Sequence, residues 1–400
     1  VGEAARRTFG DGVLIDAGRA ASPAALEATR EAIQGGAPRL YEAAFEHAGV
    51  AVAVDVLERA PAGWRIREVK SSTGVKPEHV PDVTIQAWVA HGAGLDLDAL
   101  GVTHLDRACV YPDLASLFRT DDVTDAVGEA LPGVGAEVRR QQTVLAGRLP
   151  DVATGEHCRV PYPCPFLARC ASPRPRDHVS TLYYGGRRMR ELLRAGVERI
   201  RDIPPEVELS GIQDRQRRAV CGDSVVVDEG LDETLAAFEA PFGYLDFETI
   251  SPAIPQWEGC HPYDQVPVQF ALVLEDEQGA DGMREHLAAA GEDPRPALAR
   301  ALVAACVGAA TLFAWNVSFE RRCVEDLMEA VPDQSEGLEQ VWDRLEDLLP
   351  VVREHVYAPA FEGSFSLKRV LPALVPALAY DDLEVQGGMV ASLELERLLL

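Results

Sequence analysis

Asp55, Glu68 and Lys70 combine two carboxylates and an ammonium in an order that suits metal-assisted hydrolysis. Glu68 and Lys70 are two residues apart, so in a strand they project from one face. Asp55 closes an apolar run at 50–56, and a hairpin between that run and 64–70 brings it beside them. Two carboxylates on rigid strands can hold a hard divalent cation through oxygen. The ammonium then orients a water or offsets charge growing on the reacting group. Gln86 supplies an amide on the next helix, and Glu42 a further acid upstream. Asp82 is expected as a helix N-cap, with a contribution to this acidic set as the alternative.

A second acidic set follows. Asp246 and Glu248 share one face of an apolar strand, Glu320 closes the run Asn316-Val-Ser-Phe-Glu320, and Asp347 comes later. Unpaired buried carboxylates are costly, so the buried-looking Asp246-Phe-Glu-Thr249 points to a metal partner. Two Mg2+ or Mn2+ ions about 3.5–4 Å apart would activate water and stabilise a leaving oxygen. Between these sets, Cys158, Cys164 and Cys170 are evenly spaced by six, in a loop kept extended by prolines. Three converging thiolates suit a 4Fe-4S cluster or zinc, with His157 or Cys109 as alternative fourth ligands. The other five cysteines are scattered, and eight in 400 residues do not make a disulfide scaffold.

The elements that must position these residues are partly legible. Ser22-Pro23 opens a helix that ends near Gly35-Gly36. Strands at 50–56 and 64–70 are joined by Ala60-Pro61-Ala62-Gly63, and helices are expected at 83–90 and 123–149. After the Pro- and Cys-rich loop at 161–175, Met189, Leu192, Leu193, Val197 and Ile200 recur at helical spacing. The segment 193–204 reads as helix, Gly, turn, helix. A second α/β pattern then places strands at 243–249, 266–275 and 311–316, and helices at 296–308, 319–330 and 338–356. The expected organisation is a first α/β domain over 1–178, an Arg-rich helical connector over 179–238, and a second α/β domain over 239–400.

The ordered set Asp55, Glu68-x-Lys70 and Gln86 resembles the active site of RecB-like PD-(D/E)XK nucleases. The trailing cysteines resemble the iron–sulfur staple of that group, whose leading Cys would lie upstream of Val1. Asp246-x-Glu248 with Asn316-x-x-Phe-Glu320 resembles DnaQ-like DEDD exonucleases of the ribonuclease H fold, with Glu in place of the second Asp. Their closing motif is not found, because Tyr380 and Asp382 have the wrong spacing. Together with His261-Pro-Tyr-Asp-Gln-Val-Pro267 and Gly363-Ser-Phe-Ser-Leu-Lys-Arg-Val-Leu-Pro372, these motifs resemble an uncharacterised bacterial family that fuses the two modules. The resemblance implies a restriction-endonuclease-like domain, a helical connector and a ribonuclease H-like domain. It also implies hydrolysis of DNA, with RNA as the alternative substrate and a non-catalytic nucleic-acid-binding scaffold as the alternative role. The absent Met and absent closing acid lead to the expectation that both ends are cut, with nuclease activity greatest in the intact parent chain.

Bulk properties bound this reading. The hydrophobic fraction of 47% excludes a disordered or collagen-like chain. No stretch approaches the roughly 20 apolar residues of a membrane helix, and no basic-then-apolar leader opens the chain, so a cytoplasmic protein is expected. The net charge of −26 runs against the basic footprint of nucleic-acid binders. It is uneven, however: from Arg174 to Arg218 eleven Arg face seven Asp and Glu, a balance of +4.

Overall fold

The computed structural model describes residues 1–16, 22–171, 173–275, 282–378 and 387–400; Tyr380 and Asp382 fall outside them. The chain forms two compact α/β units, one of Val1–Ala171 with Pro252–Asp264, the other of Ser172–Ser251 with Gln265–Leu400. The division differs from the expected boundaries in two ways. Residues 179–238 group with the second unit rather than standing apart, and 252–264 group with the first.

The first unit is built on a six-stranded mixed sheet in sequence order: β1 (Val13–Leu14), β2 (Arg39–His47), β3 (Val50–Ala60), β4 (Gly63–Val69), β5 (Leu97–Leu105) and β6 (Phe118–Asp122). Its helices are α1 (Gly2–Phe9), α2 (Pro23–Gln34), α3 (His79–Gly92), α4 (Thr124–Ala146) and the single turn α5 (Leu167–Cys170). Strands β2, β3 and β4 run antiparallel, with Ala60 opposite Gly63 closing the tight Pro61-Ala62 turn. Strand β5 lies parallel to β4 after the crossover through α3. That crossover sets α3 against the sheet, where Val83 and Ala87 pack with Leu40, Val54, Ile66 and Val102. Ser22 caps α2 as its sequence predicts, its hydroxyl accepting from the Ala25 amide at 3.1 Å. Helix α3 begins four residues earlier than expected, so Asp82 lies inside its first turn and Glu78 holds the cap position. Asp82 is therefore not the N-cap, and its carboxylate is left available to Lys70.

The second unit carries α6 (Gly186–Arg194), α7 (Gly211–Gly222), β7 (Val226–Val227) and α8 (Leu231–Ala236) ahead of its main sheet. Then come β8 (Phe242–Ile250), β9 (Val266–Leu274), β10 (Gly282–Leu287), α9 (Pro294–Ala305), β11 (Thr311–Ala314), α10 (Ser318–Ala330), α11 (Ser335–Asp343), β12 (Leu345–Asp347), α12 (Leu348–His355), β13 (Val356–Tyr357), α13 (Leu367–Leu374) and α14 (Gly388–Leu399). The five-stranded sheet has the order β10-β9-β8-β11-β12, antiparallel across its first three strands and parallel from β8 to β12. Leu245, Phe247, Phe270, Leu298, Leu312 and Leu327 fill its core. The segment after α6 turns at Gly196 and continues as a 3-10 turn, Ile200–Asp202, not as a second helix.

The helix expected over 338–356 is broken by β12. A continuous helix would place Pro350 in its interior, where the missing N–H and the ring clash are costly. Starting α12 at Leu348 moves that proline into the first turn, and Asp347 caps the new helix through the Leu349 amide at 2.9 Å. The break lets β12 pair with β11, with Asp347 opposite Ala314.

The Gly363-Ser-Phe-Ser motif is explained by packing. Gly363 has φ +80°, its amide donates to the Tyr357 hydroxyl at 2.8 Å, and a Cβ there would lie 1.9 Å from the Thr181 carbonyl oxygen. Gly363→Ala is expected to destabilise the second unit by about 2–4 kcal/mol, adding backbone strain to a clash with main chain. Urea denaturation checks this, and a loss below about 1 kcal/mol would show that the turn relaxes freely.

Candidate active sites

In the first unit the sheet and α3 bring the expected residues together. Glu68, at the end of β4, is only 7% exposed. One of its oxygens accepts from Lys70 Nζ at 2.6 Å and the other from Gln86 Nε2 at 2.6 Å. Lys70 lies just past β4, where its amide bonds to the Thr103 carbonyl of β5 at 2.8 Å. Its ammonium bridges to Asp82 of α3 as well. Asp55, half-buried on β3, accepts from the Val69 amide at 2.7 Å. Burial, then the charge of Glu68, raises its pKa to about 7, and Glu42 adds to the effect.

Glu42 lies on β2 where the ladder to β3 skips a pair, opposite Asp55. Its φ of +57° is rare for a residue with a side chain, and such conformations cluster at functional sites. Its carboxylate faces Arg6 of α1 at 3.6 Å. Beside Lys70 opens a cavity of about 560 Å³, lined in part by Lys76, Asp82 and Tyr162. Of these three only Asp82 is singled out by the sequence; Lys76 and Tyr162 carry no local signal of a site.

In the second unit the strand alternation of β8 turns Leu245 and Phe247 into the core and leaves Tyr244, Asp246 and Glu248 on the open face. The buried-looking acids of the sequence are thus not buried: Asp246 is exposed and Glu248 half-exposed. The walls of a cavity of about 550 Å³ still strip enough water from both to raise their pKa values, and Asp246 raises Glu248 further. The buried acid is Glu320 on α10, 3% exposed, with Oε2 lacking a partner among the described residues. Burial raises its pKa to about 7, and the charges of Asp246 and Asp347 contribute. Asp347 is held by two amides, those of Asn316 and Leu349, each at 2.9 Å. The Asn316 amide is aimed by a left-handed backbone, φ +67°, which Asn tolerates better than most residues.

Two basic and acidic side chains near this cleft escaped the sequence reading. Lys368 lowers the pKa of Glu248 by its charge. Glu394 of α14 lines the cavity with Ala391, Leu395 and Leu398. The helical recurrence of 391, 395 and 398, with 394 on the same stripe, is the signal that could have found it.

The three cysteines of the loop stand differently: Cys158 is buried, Cys164 half-exposed and Cys170 exposed, and all are free thiols. Among the described residues no three His, Cys, Asp or Glu side chains are gathered closely enough to hold a metal ion. As placed, the thiols do not form a ligand set. The carboxylate sets fare better. The charge of Glu68 acts on Asp55, that of Asp246 on Glu248, and those of Asp246 and Asp347 on Glu320. Hard oxygen donors and the unpartnered Glu320 Oε2 fit Mg2+ or Mn2+.

A family model described as domain of unknown function (DUF2779) matches residues 243–366. The match covers Asp246, Glu248, Glu320 and Asp347, and stops before Lys368 and Glu394. No curated protein matches the chain. No helix among the described residues is long and apolar enough to cross a membrane.

The raised pKa of Glu320 gives a signed expectation. Its folded value, about 7, lies above the ordinary 4.5, so the neutral form favours the fold. That stability is present below about pH 4.5 and is lost as the pH rises through 7. In chelator, wild type is expected to lose up to about 3 kcal/mol relative to Glu320→Gln between pH 5 and pH 8. Urea denaturation at both pH values reads the difference. Parallel pH profiles for the two chains would show that Glu320 does not titrate there.

Proposed function

We propose that this chain is a metal-dependent nuclease that hydrolyses phosphodiester bonds of DNA, working from strand ends. The observation that carries the reading is the Glu68 carboxylate held between Lys70 and Gln86, with Asp55 beside it and an open cavity next to Lys70. The first unit is read as a restriction-endonuclease-like, RecB-type PD-(D/E)XK domain, supported by the β3–β4 hairpin and the α3 crossover. The second is read as a ribonuclease H-like, DnaQ-type domain, supported by acids on the central β8, on α10 and at the end of β12. Helices α6 and α7 would serve as the connector expected at 179–238.

Asp55 and Glu68 would hold Mg2+ or Mn2+ in the first centre; Asp246, Glu248 and Glu320, with Asp347, would do so in the second. The ion, when bound, supplies a water acidic enough to attack at neutral pH and offsets charge on phosphate oxygens. Gln86 fixes one oxygen of Glu68, leaving its orientation set by α3. Lys70, bound to Glu68 and Asp82, places an ammonium at the mouth of the cavity, where it meets the phosphate or the attacking water. Asp55 and Glu320 are partly protonated near neutrality and must lose their protons to act as ligands, so metal affinity should rise through pH 7. Cys158, Cys164 and Cys170 remain proposed as thiolate ligands of a 4Fe-4S cluster or zinc.

A second reading, a nucleic-acid-binding scaffold with vestigial acids, is favoured by the lack of any gathered ligand group among the described residues. A third keeps the hydrolysis and takes RNA. Matched single-stranded DNA and RNA oligonucleotides, incubated with Mn2+, separate the three. Shortening of DNA, abolished by Asp246→Ala combined with Lys70→Ala, is the expected result. Full activity in that double variant overturns the nuclease reading, and binding without shortening at any Mn2+ concentration supports the scaffold.

A further inference from the structure

The cavity beside Lys70 has features that the hydrolytic centre does not use. Its volume, about 560 Å³, falls within the range of ligand pockets. The loop after β4 brings Ser71, Thr73 and Lys76 to its wall, all three exposed. This loop is tied down at both ends. The Tyr263 hydroxyl donates to the Ser71 carbonyl, and the Lys76 amide donates to His79 Nδ1 at 3.1 Å. Lys76 makes no ion pair among the described residues, whereas Lys70 is committed to Glu68 and Asp82.

Across the cavity stands Tyr162, from the Cys-rich loop. Its ring is 61% exposed, and its hydroxyl donates to Glu78 at 2.7 Å, which fixes the ring at the cavity wall. Both acids of the cavity therefore have donors already: Glu78 has Tyr162 and Asp82 has Lys70. What is left for a ligand is one ammonium, two hydroxyls and an aromatic face.

The geometry points to a nucleotide subsite: the cavity takes the unit of single-stranded DNA next to the bond under attack, its phosphate on Lys76, Ser71 and Thr73 and its base against Tyr162. This rests on the nuclease reading of the Asp55, Glu68 and Lys70 centre and assigns that centre a neighbouring contact. A flexible single strand can turn a base onto an aromatic side chain, and such stacking tolerates any sequence. A paired base has no free face to offer, so the subsite favours single strands over duplex.

The test measures binding of a short fluorescein-labelled oligothymidylate to the full chain in chelator, by anisotropy, over a range of salt. Lys76→Ala is expected to weaken binding and to lower the slope of log Kd against log salt by about 0.7, one phosphate contact on a single strand. Tyr162→Ala is expected to weaken it roughly fivefold or more, while Tyr162→Phe, which keeps the ring and loses the bond to Glu78, binds as wild type. Wild-type binding by both alanine variants, or no binding by wild type, overturns the subsite. If Tyr162→Ala does not fold, Lys76→Ala alone decides through the salt slope. Loss of binding in these variants together with no hydrolysis by wild type in Mg2+ or Mn2+ leaves the subsite standing and removes the nuclease reading. Hydrolysis by wild type, with both alanine variants binding and cutting normally, does the reverse.

Discussion

The stripping of water from carboxylates, with a second acid nearby, is the constraint around which both units are organised. Each unit answers it in the same unequal way. In the first, Glu68 has a donor on each oxygen, Lys70 and Gln86, while Asp55 has one amide for compensation. In the second, Asp347 takes two amides on one oxygen, while Glu320 has an oxygen with none. The satisfied acid of each set is fixed in place by the fold. The unsatisfied acid keeps its proton up to about pH 7, so the cost of its charge is deferred until something cationic shares it. The surrounding elements are shaped by this division. Helix α3 must lie where Gln86 reaches Glu68, and the chain must break between α11 and α12 so that Asp347 can cap one helix and face Asn316.

Much of this was legible along the sequence, and the residues show where legibility stops. The β3–β4 hairpin, the Ser22 cap and strands β8, β9 and β11 follow from alternation, turn chemistry and capping, all of them local. Strand β5 pairs with β4 only after the α3 crossover, β12 carries an apolar spacing that also suits a helix, and β2, β6 and β10 are likewise absent from the sequence expectation. Asp246 shows a subtler limit. Alternation gave its face correctly relative to Glu248, yet the composition Asp-Phe-Glu-Thr looked buried because the core residues Leu245 and Phe247 flank it. Glu320, on an amphipathic helix, carried no mark of burial and is the buried acid. Asp347 was assigned to a helix because its neighbours are apolar at helical spacing, and only Pro350 argued otherwise.

Glu42 is a position where the one-dimensional reading named the residue and could not give its reason. Its left-handed backbone and skipped ladder pair lie opposite Asp55. A regular strand would pair the two residues across β2 and β3 and would leave no freedom to re-aim a third acid. A local irregularity of this kind costs on the order of 1–3 kcal/mol and persists only where the surroundings over-determine it. Here Arg6 on one side and the buried pairs Tyr41–Val56 and Ala43–Val54 on either flank supply that constraint.

Charge distribution looks different once the ion pairs are seen. Of the eleven arginines between 174 and 218, eight are engaged by acids, including Arg199 and Arg201 on the buried Asp177 and the buried Arg215 on Asp228. Breaking a buried pair leaves a costly unpaired charge, so Arg199, Arg201 and Arg215 are fastened to the fold before any ligand arrives. The local balance of +4 is therefore not a basic surface. A chain of net charge −26 gains little from long-range attraction of phosphate, which salt screens beyond about 10 Å in any case. On the proposed reading, recognition has to be short-ranged: a few cations such as Lys70, Lys76 and Lys368 acting within bonding distance, and divalent ions offsetting the acids that would otherwise repel the strand. The same carboxylates that make the protein acidic would then be the reason it needs its metal for chemistry.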